Sequence, residues 1–393
     1  MRLALLKIRL SNKHALLTIS LLYAVLSVLM FQRFGVKYVN DSHRYLEYAE
    51  GIRSGFYIDP HNIWYFSYVV FVFLVGLVSE AHSTLIFCQF FVGYLSMLLF
   101  YRAVVELTSV RIAFIATVMM LLFADTIFWS SYILAESFYL SSLLCAFYFF
   151  VKWHKGQKTV RNSLLLVLFC LIAFFAKPTA VALLAAFMGM AIYLVWKKVS
   201  SSNVKIGLTV GALILFLLVT NNMLGTFDLI ENYRTGEIVY AMSTFPNHPK
   251  HDQLVLTVPN DLHIPARNLP PLIRLASFIA KNPMYSAELF FNKLAYSLLH
   301  VRPYWSFWHN AYMLILLLPV YYLAIRGFIL GQLSGAAQAF VIVYFLCHVM
   351  IFGCTTVDWD GRFFLPLIPV LTVLATVGIS SFMKIEEQPI NPI

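Results

Sequence analysis

The stretch NDSHRYLEYAEGIRSG, residues 40–55, follows the first long apolar run and decides how the rest of the chain is read. As a helix over 42–53 it places Tyr45, Tyr48 or Ala49, Ile52 and Phe56 on one apolar stripe. His43, Arg44, Glu47, Glu50 and Arg53 fall on the other side. That division predicts a helix lying in the plane of a membrane surface, apolar face down and charged face in water. Asp41 then stands at the start of the helix, where the first span meets the interface. A carboxylate there suits two roles. One is a helix N-cap, which Asn40 or Ser42 supplies as well. The other is a general base at the mouth of a membrane cavity.

Composition fixes the class. The chain is 61% hydrophobic and 12% charged, with a mean hydropathy of +0.78, which predicts an all-α polytopic membrane protein. The formal charge of +10 comes from 28 basic and 18 acidic residues scattered singly or in pairs between apolar runs. This is the pattern of positively charged cytoplasmic loops and excludes a nucleic-acid partner. Cys88, Cys145, Cys170 and Cys347 lie inside apolar runs and Cys354 at the end of one, without metal or disulfide spacing, so they read as small packing residues. The basic start MRLALLKIRLSNKH precedes a long apolar run with no small-residue cleavage site after it, so the first span is expected to be retained.

Apolar segments cover about 15–33, 63–79, 84–101, 112–129, 131–151, 163–176, 179–196, 206–224, 309–325, 336–352 and 363–382, a bundle of about 10–11 hydrophobic helices. Arg2, Lys7, Arg9 and Lys13, with the loops 152–161 and 197–205, place the N-terminus and those loops in the cytoplasm; the C-terminus is assigned there too. The outer loop 34–62 and the long loop 225–308 are then outside, between a transmembrane catalytic module at 1–224 and C-terminal helices at 309–393. Arg102 and Arg111 mark 102–111 as cytoplasmic, so 63–79 and 84–101 together make one crossing. The irregular piece is expected at 63–79, which opens on His61, Asn62 and Trp64. The 225–308 loop is proline-rich in its middle. Over 272–301 it reads as one or two helices broken at Asn282–Pro283, as in a lid or binding loop.

Charges at membrane depth are costly and so are candidates for function. Asp125 and Glu136 flank the turn in FADTIFWSSYILAESFYL, on the same side as Asp41; Glu136 also suits an interface anchor or a hydrogen-bonding partner. Lys177 in FFAKPTA precedes a proline that stops or kinks the helix, and a lone lysine there also snorkels. Arg362 opens the last span behind Asp358 and Asp360, with which it can pair, and Arg302 lies in HVRPYW at the end of the long loop. Carboxylates and cations thus collect at the outer surface. Group transfer from a lipid phosphate needs this set: cations bind the phosphate and stabilise the leaving group, and one carboxylate deprotonates the incoming hydroxyl. A polyprenyl tail would lie along the apolar flanks.

The run DSHRYLEYAEGIRSGFY resembles the pattern after the first span of GT-C membrane glycosyltransferases: an Asp, a Tyr four residues on, then Ala and Gly. That superfamily includes the protein O-mannosyltransferases, the lipid A aminoarabinose transferases and many bacterial envelope glycosyltransferases. WSSYILAESFYLSSLLCAFYFF resembles its outer turn with an acidic residue opening the next helix. AKPTAVALL is similar to its basic-Pro break, DGRFFLPLIPVLTVLATVGI to its final span, and FIAKNPMYSAELFFNKL to the segment before its later spans. The resemblance covers most of 15–382. It implies Asp41 as catalytic base, Glu136 as the second outer-loop acid, and Lys177 and Arg362 as donor-phosphate ligands; from the residues themselves Asp125 is a further acidic candidate, and Arg44 and Arg302 are further candidates for the phosphate. Tyr45 and His61 would position acceptor or donor. Members often open the second span with prolines and aromatics, where this chain has DPHNIWYF. Many also carry a C-terminal extramembrane domain that is missing here, which leaves acceptor recognition to 225–308.

The activity expected is inverting transfer of one sugar, hexosyl or pentosyl, from a polyprenyl-phosphate carrier to a lipid-linked glycan or other envelope acceptor, on the outer face of a bacterial-type inner membrane. The residues call for no particular cofactor, and carboxylates with His61 nearby permit a divalent metal without demanding one. A transporter or flippase of a lipid-linked or anionic solute is the rival from another class; it calls for repeat symmetry and charges at the midplane. An O-antigen-type polymerase would rely on arginines in long outer loops, and the Asp41 motif argues against it.

Overall fold

The computed structural model describes residues 10–227, 229–244, 250–331 and 333–382. Arg2, Lys7 and Arg9, the C-terminal tail and the start of the proline-rich middle, 245–249, lie outside the described residues, and with them the assignment of the two termini to a side.

The protein is an all-α polytopic membrane protein. Its α-helices in chain order are α1 (Asn12–Phe34), α2 (Asn40–Ser54), α3 (Phe66–Gly76), α4 (His82–Leu107), α5 (Val110–Leu122), α6 (Asp125–Phe128), α7 (Ala135–His154) and α8 (Val160–Phe174). They continue with α9 (Val181–Lys198), α10 (Ser202–Thr226), α11 (Leu229–Arg234), α12 (Pro271–Lys281), α13 (Pro283–Leu299), α14 (Phe307–Leu330), α15 (Gly335–Cys354) and α16 (Ile368–Ser380). Each apolar segment of the sequence is occupied by helix. Seven helical stretches among the described residues are long and apolar enough to cross a membrane: α1, α4, α10, α14, α15, and α9 and α16 with the short 3-10 turns that precede them.

The shorter pieces depart from a simple row of spans. The segment expected over 63–79 is a 3-10 turn, Asn62–Tyr65, followed by the 11 residues of α3. Eleven helical residues rise about 16 Å, half of a hydrocarbon core of about 30 Å. The 112–129 segment is not one rod: α5 and the Asp125–Ser131 stretch are bent by 74° at their break. α8, with 15 residues, is also short.

α2 has the two faces expected from the sequence, and the structure adds what its apolar face packs on. Tyr45, Tyr48 and Ala49 are buried, but against protein: α2 packs on α3, with Tyr45 ringed by Tyr65 and Tyr68 at centroid distances of 5.3 and 5.2 Å. The helix ends at Ser54, so Phe56 lies beyond it and is 65% exposed. Aromatic rings at this spacing fit a protein groove as well as a lipid surface, which is why the stripe alone did not choose between them.

Two isolated bridges set the register of the end at which Asp41 and Glu136 lie. Lys37 pairs with Tyr132, its N–H donating to the Ser131 carbonyl and its carbonyl accepting from Ile133. This ties the lead into α2 to the lead into α7, bringing Asp41 and Glu136, each four residues on, to the same place. Val239 pairs with Val357, fastening the 225–308 segment to the loop before Arg362. That segment has its own apolar core of Ile230, Tyr233, Val239, Leu254, Phe278 and Leu289, and its helices break at Asn282, whose side chain bonds both backbone groups of His263.

α14 and α16 pack most closely, through glycines. A Cβ at Gly327 would run into the Leu374 carbonyl, and one at Gly378 into the Leu323 carbonyl. Close backbone approach between small residues is the usual way membrane helices gain packing. Gly327→Ala or Gly378→Ala is expected to destabilise the bundle by about 1–3 kcal/mol, the cost of overpacking. Gly207→Ala on α10, where nothing lies within 4 Å, is expected to leave the melting transition in detergent unchanged. Equal melting of all three variants would contradict this account of the packing.

Candidate active site

Asp41 lies in the first turn of α2 but does not cap it. The residue before the helix is Val39, whose N–H donates to the Ser42 hydroxyl, leaving the Asp41 carboxylate for side-chain partners. Its Oδ1 is 3.3 Å from Arg44 Nη2 and its Oδ2 is 3.2 Å from Arg362 Nη1. Arg362 Nη1 is also 3.5 Å from Glu136 Oε1, and the same oxygen accepts from Lys177 Nζ at 2.7 Å. The chain of contacts is therefore Arg44, Asp41, Arg362, Glu136, Lys177.

Local structure explains how each side chain arrives. Glu136 is in the first turn of α7, where the helix N-terminus favours a carboxylate. Lys177 is the extended residue before Pro178, which starts a 3-10 turn leading into α9. Arg362 opens the 3-10 turn Arg362–Leu367 ahead of α16, after Gly361 at φ +75°, a value glycine adopts without steric cost. The Asp358 carboxylate holds that turn by accepting the backbone N–H groups of Arg362 and Phe363, both at 3.0 Å. Asp41, Glu136, Lys177 and Arg362 each stand at or just before the start of a helix or 3-10 turn, and their contacts bring those starts together.

The site is graded from open to closed. Side-chain exposure is 31% for Asp41, 28% for Arg44 and 24% for Arg362, against 3% for Glu136 and 4% for Lys177. Three cations meet two carboxylates, an excess of one positive charge by simple count. Arg44 Nε and Arg362 Nε are buried without a hydrogen-bond partner among the described residues, as is Glu136 Oε2. Buried donors without acceptors are costly, and an anion with several oxygens satisfies them.

Around Arg44, the predicted residues Tyr45 and His61 converge. Arg44 donates to the Tyr45 hydroxyl at 3.3 Å, lies over the Tyr45 and Tyr65 rings at 5.0 Å, and bonds His61 Nε2 through Nη1. His61 is anchored by its backbone N–H on Asp59 Oδ1. Burial, and then the neighbouring Arg44 charge, hold the His61 imidazole below its ordinary value. It is therefore neutral at pH 7 and offers Arg44 a lone pair.

Two predicted residues go elsewhere. Arg302, expected to bind phosphate, is 1% exposed and spends its guanidinium on main-chain carbonyls: Asp358 at 3.3 and 2.9 Å, Tyr296 at 2.7 Å and Val301 at 2.8 Å. It braces the Asp358 loop and has no face left for a ligand. Asp125 does not share a cation with Glu136; it sits 2.9 Å from His300 Nε2. The sequence reading also missed Tyr65, Gly361 and His300, and it treated Asp358 only as a partner for Arg362. Gly361 and His300 were in view in DGR and HVRPYW, but only the contact between them reveals a role. No set of three His, Cys, Asp or Glu side chains suited to a metal occurs among the described residues.

No family model matches the chain, and no curated protein matches it. Among the solved structures that overlap it are two of oligosaccharyltransferases. One is the archaeal oligosaccharyltransferase AglB from Archaeoglobus fulgidus, in complex with an inhibitory peptide and a dolichol-phosphate. It is 14% identical, with a TM-score of 0.46, over 94% of this chain and 50% of that one. The other is an Archaeoglobus fulgidus oligosaccharyltransferase in its apo form, 13% identical with a TM-score of 0.49, over 95% of this chain and 51% of that one. The chain thus spans about half the length of the proteins it overlaps.

Two expectations follow from the electrostatics. Removing one partner of the buried pair, by Glu136→Leu or Lys177→Met, is expected to cost about 3–5 kcal/mol, whereas the double substitution restores much of the stability by leaving neither charge unpaired. Thermal unfolding of the three variants in one detergent tests this, and a double variant no more stable than the singles would refute it. The second concerns pH. Because the folded protein holds His61 neutral below its ordinary value of 6.5, the stability this gives is complete above that pH and declines as pH falls from 6.5 through the lowered folded value. Protonated His61 also loses its lone pair to Arg44, so anion binding is expected to change across the same window in the wild type and to stay flat in His61→Gln.

Proposed function

We propose that the chain is a GT-C-type inverting glycosyltransferase that moves a sugar from a polyprenyl-phosphate carrier to a lipid-linked glycan or other cell-envelope acceptor on the extracytoplasmic face. One observation carries the reading. A part-exposed carboxylate is held between two part-exposed guanidinium groups, over a buried acid–base pair, at one end of a membrane bundle. The motif resemblance through Asp41, Glu136, Lys177 and Arg362 adds to it.

The residues divide the reaction between them. The donor phosphate takes the place of Asp41 as acceptor for Arg362 and Arg44, and so leaves the Asp41 carboxylate free. Asp41 accepts the proton of the acceptor hydroxyl as its oxygen bonds to the anomeric carbon. The bond from that carbon to the phosphate oxygen breaks on the opposite side, which inverts the centre. The electron pair goes to the phosphate, and the guanidinium groups stabilise it where little water competes. A phosphate leaves without a second acid. Lys177 acts from beneath: by neutralising Glu136 it keeps the charge of Arg362 turned toward the phosphate. Arg302 serves as a brace. Tyr45 and His61 hold Arg44 in orientation.

A place for the lipid tail is at hand. A cavity of about 160 Å³ runs between α4, α7, α9, α15 and α16, lined by Leu143, Leu144, Phe187, Phe340, Pro366 and Val370. Pro366 is four residues from Arg362 and Leu143 seven from Glu136, so the near part of the cavity lies within two helical turns of the charges in sequence. The transporter reading asks for charges at the midplane, whereas charges gathered at helix starts support the transferase reading.

Asp41→Asn in reconstituted membranes, supplied with labelled polyprenyl-phosphate sugars, is expected to lower transfer by about 10²–10⁴-fold, the range for loss of a general base, while the lipid still binds. Arg362→Ala is expected to weaken binding as well. Near-normal transfer by folded Asp41→Asn would sink the assignment of the base. A labelled lipid that changes leaflet with no sugar consumed would favour the transporter.

A further inference from the structure

His300 ends α13 in the left-handed region, φ 52° and ψ 43°, where a residue with a Cβ is held only by its surroundings. Here the surroundings are specific. The side chain is 1% exposed, its Nε2 is 2.9 Å from Asp125 Oδ2, and its ring rests on Trp305 and Phe364 at centroid distances of 5.6 and 5.4 Å. Its ring atoms lie against Gly361, where an added Cβ would run into them. Gly361, at φ +75°, is the residue that turns the chain into Arg362.

One imidazole therefore touches three pieces of chain that sequence holds far apart. Asp125 opens α6 just after the 74° break. Residue 300 closes the last helix of the 225–308 segment. Gly361 begins the turn carrying the guanidinium that pairs with Asp41 and Glu136. The contacts of His300 with Asp125, Trp305, Phe364 and Gly361 include no member of the Arg44, Asp41, Arg362, Glu136, Lys177 chain, so a direct chemical role is not indicated. Its contacts instead decide where the first residue of the 3-10 turn points. Asp358 and Arg302 fix the turn from the other side, by the backbone N–H groups of Arg362 and Phe363 and by the Asp358 carbonyl.

We propose that His300, held by Asp125, is a positioning residue for Arg362: its ring is a wedge against Gly361 that sets the direction of the guanidinium and couples it to the base of the 225–308 segment. The proposal rests on the reading of Arg362 as the phosphate ligand. It adds that the lid and the phosphate site share one contact. An acceptor that orders the end of α13 thereby also orders Arg362, and a displaced α13 end withdraws the wedge.

The test uses the full chain in nanodiscs, with His300→Ala, His300→Gln, Asp125→Asn, Arg362→Lys and the His300→Ala/Arg362→Lys double variant. Alanine and glutamine carry the same left-handed backbone, so their difference isolates the side chain, and Asp125→Asn perturbs the pair without altering residue 300. Hydrogen exchange of the 358–367 peptide reads the wedge without any assumption about activity. Exchange is expected to quicken in His300→Ala and Asp125→Asn and to be largely restored in His300→Gln. Transfer from a labelled polyprenyl-phosphate sugar is expected to fall about tenfold in kcat/KM for His300→Ala, and the double variant is expected to be no worse than Arg362→Lys alone, the non-additivity of residues acting through one another. Wild-type exchange rates in both His300→Ala and Asp125→Asn, or penalties that multiply in the double variant, would overturn the proposal. If the wild type transfers no sugar, the glycosyltransferase reading fails, and the exchange result still decides the wedge.

Discussion

The contact on which the charged end of the bundle depends is the buried pair of Glu136 and Lys177, 2.7 Å apart. Removing two ions from water costs several kcal/mol each, and their attraction offsets this only with good geometry and further hydrogen bonds. Lys177 gains an aromatic face as well, its amine lying 4.9 Å from the Phe363 ring centroid. Arg362 completes the offset by bridging the same Glu136 oxygen to Asp41. Because Glu136 starts α7, Lys177 precedes the turn into α9 and Arg362 starts the last span, satisfying the pair requires three helix starts to meet. The convergence that builds the site is thus also what makes burying those charges tolerable.

The same requirement explains the irregular backbone nearby. Helices that merely crossed the membrane would carry their first turns past one another. Here a proline follows Lys177, a glycine precedes Arg362, and a 74° break precedes α7, so that each chain turns at the level of the charges. The cost is a set of open backbone and side-chain groups, met by Asp358, Arg302 and His300. None of these three touches Asp41, yet each is buried, and each is bonded to the loop that aims Arg362 or packed against it. The scaffold is as polar as the site it supports.

What could be read from the sequence follows from what is local. Apolar runs of span length mark helices whatever they pack against, so every apolar segment was found. The carboxylates and cations at their ends were legible because charge in an apolar run stands out. Partner choice was not legible. Arg302 and Arg362 look alike as isolated arginines, and only folding shows that one is consumed by carbonyls and the other by carboxylates. Asp125 and Glu136 look alike too, eleven residues apart on one turn, but the 74° break sends them to different partners. The α2 stripe picked out the residues that are buried but not the protein helix they pack on, since tyrosines suit an interfacial lipid layer and a protein groove equally. Gly361 carried no signal, because its role exists only against a ring 61 residues away in sequence.

The graded exposure of the charges bears on how such a site would work. An anion entering from the open side meets Arg44 and Arg362 first, already paired to Asp41. Binding is then an exchange of one oxygen ligand for another, which costs little desolvation, since the guanidinium groups are never left bare. The carboxylate released by the exchange faces the same opening with its two charge partners turned away. On the proposed reading, this links proton acceptance to an occupied phosphate site, and it disfavours a reactive base in the empty protein. The deeper pair holds that exchange in register: with Glu136 already neutralised by Lys177, Arg362 keeps a full charge for the incoming ligand and cannot collapse inward when Asp41 lets go.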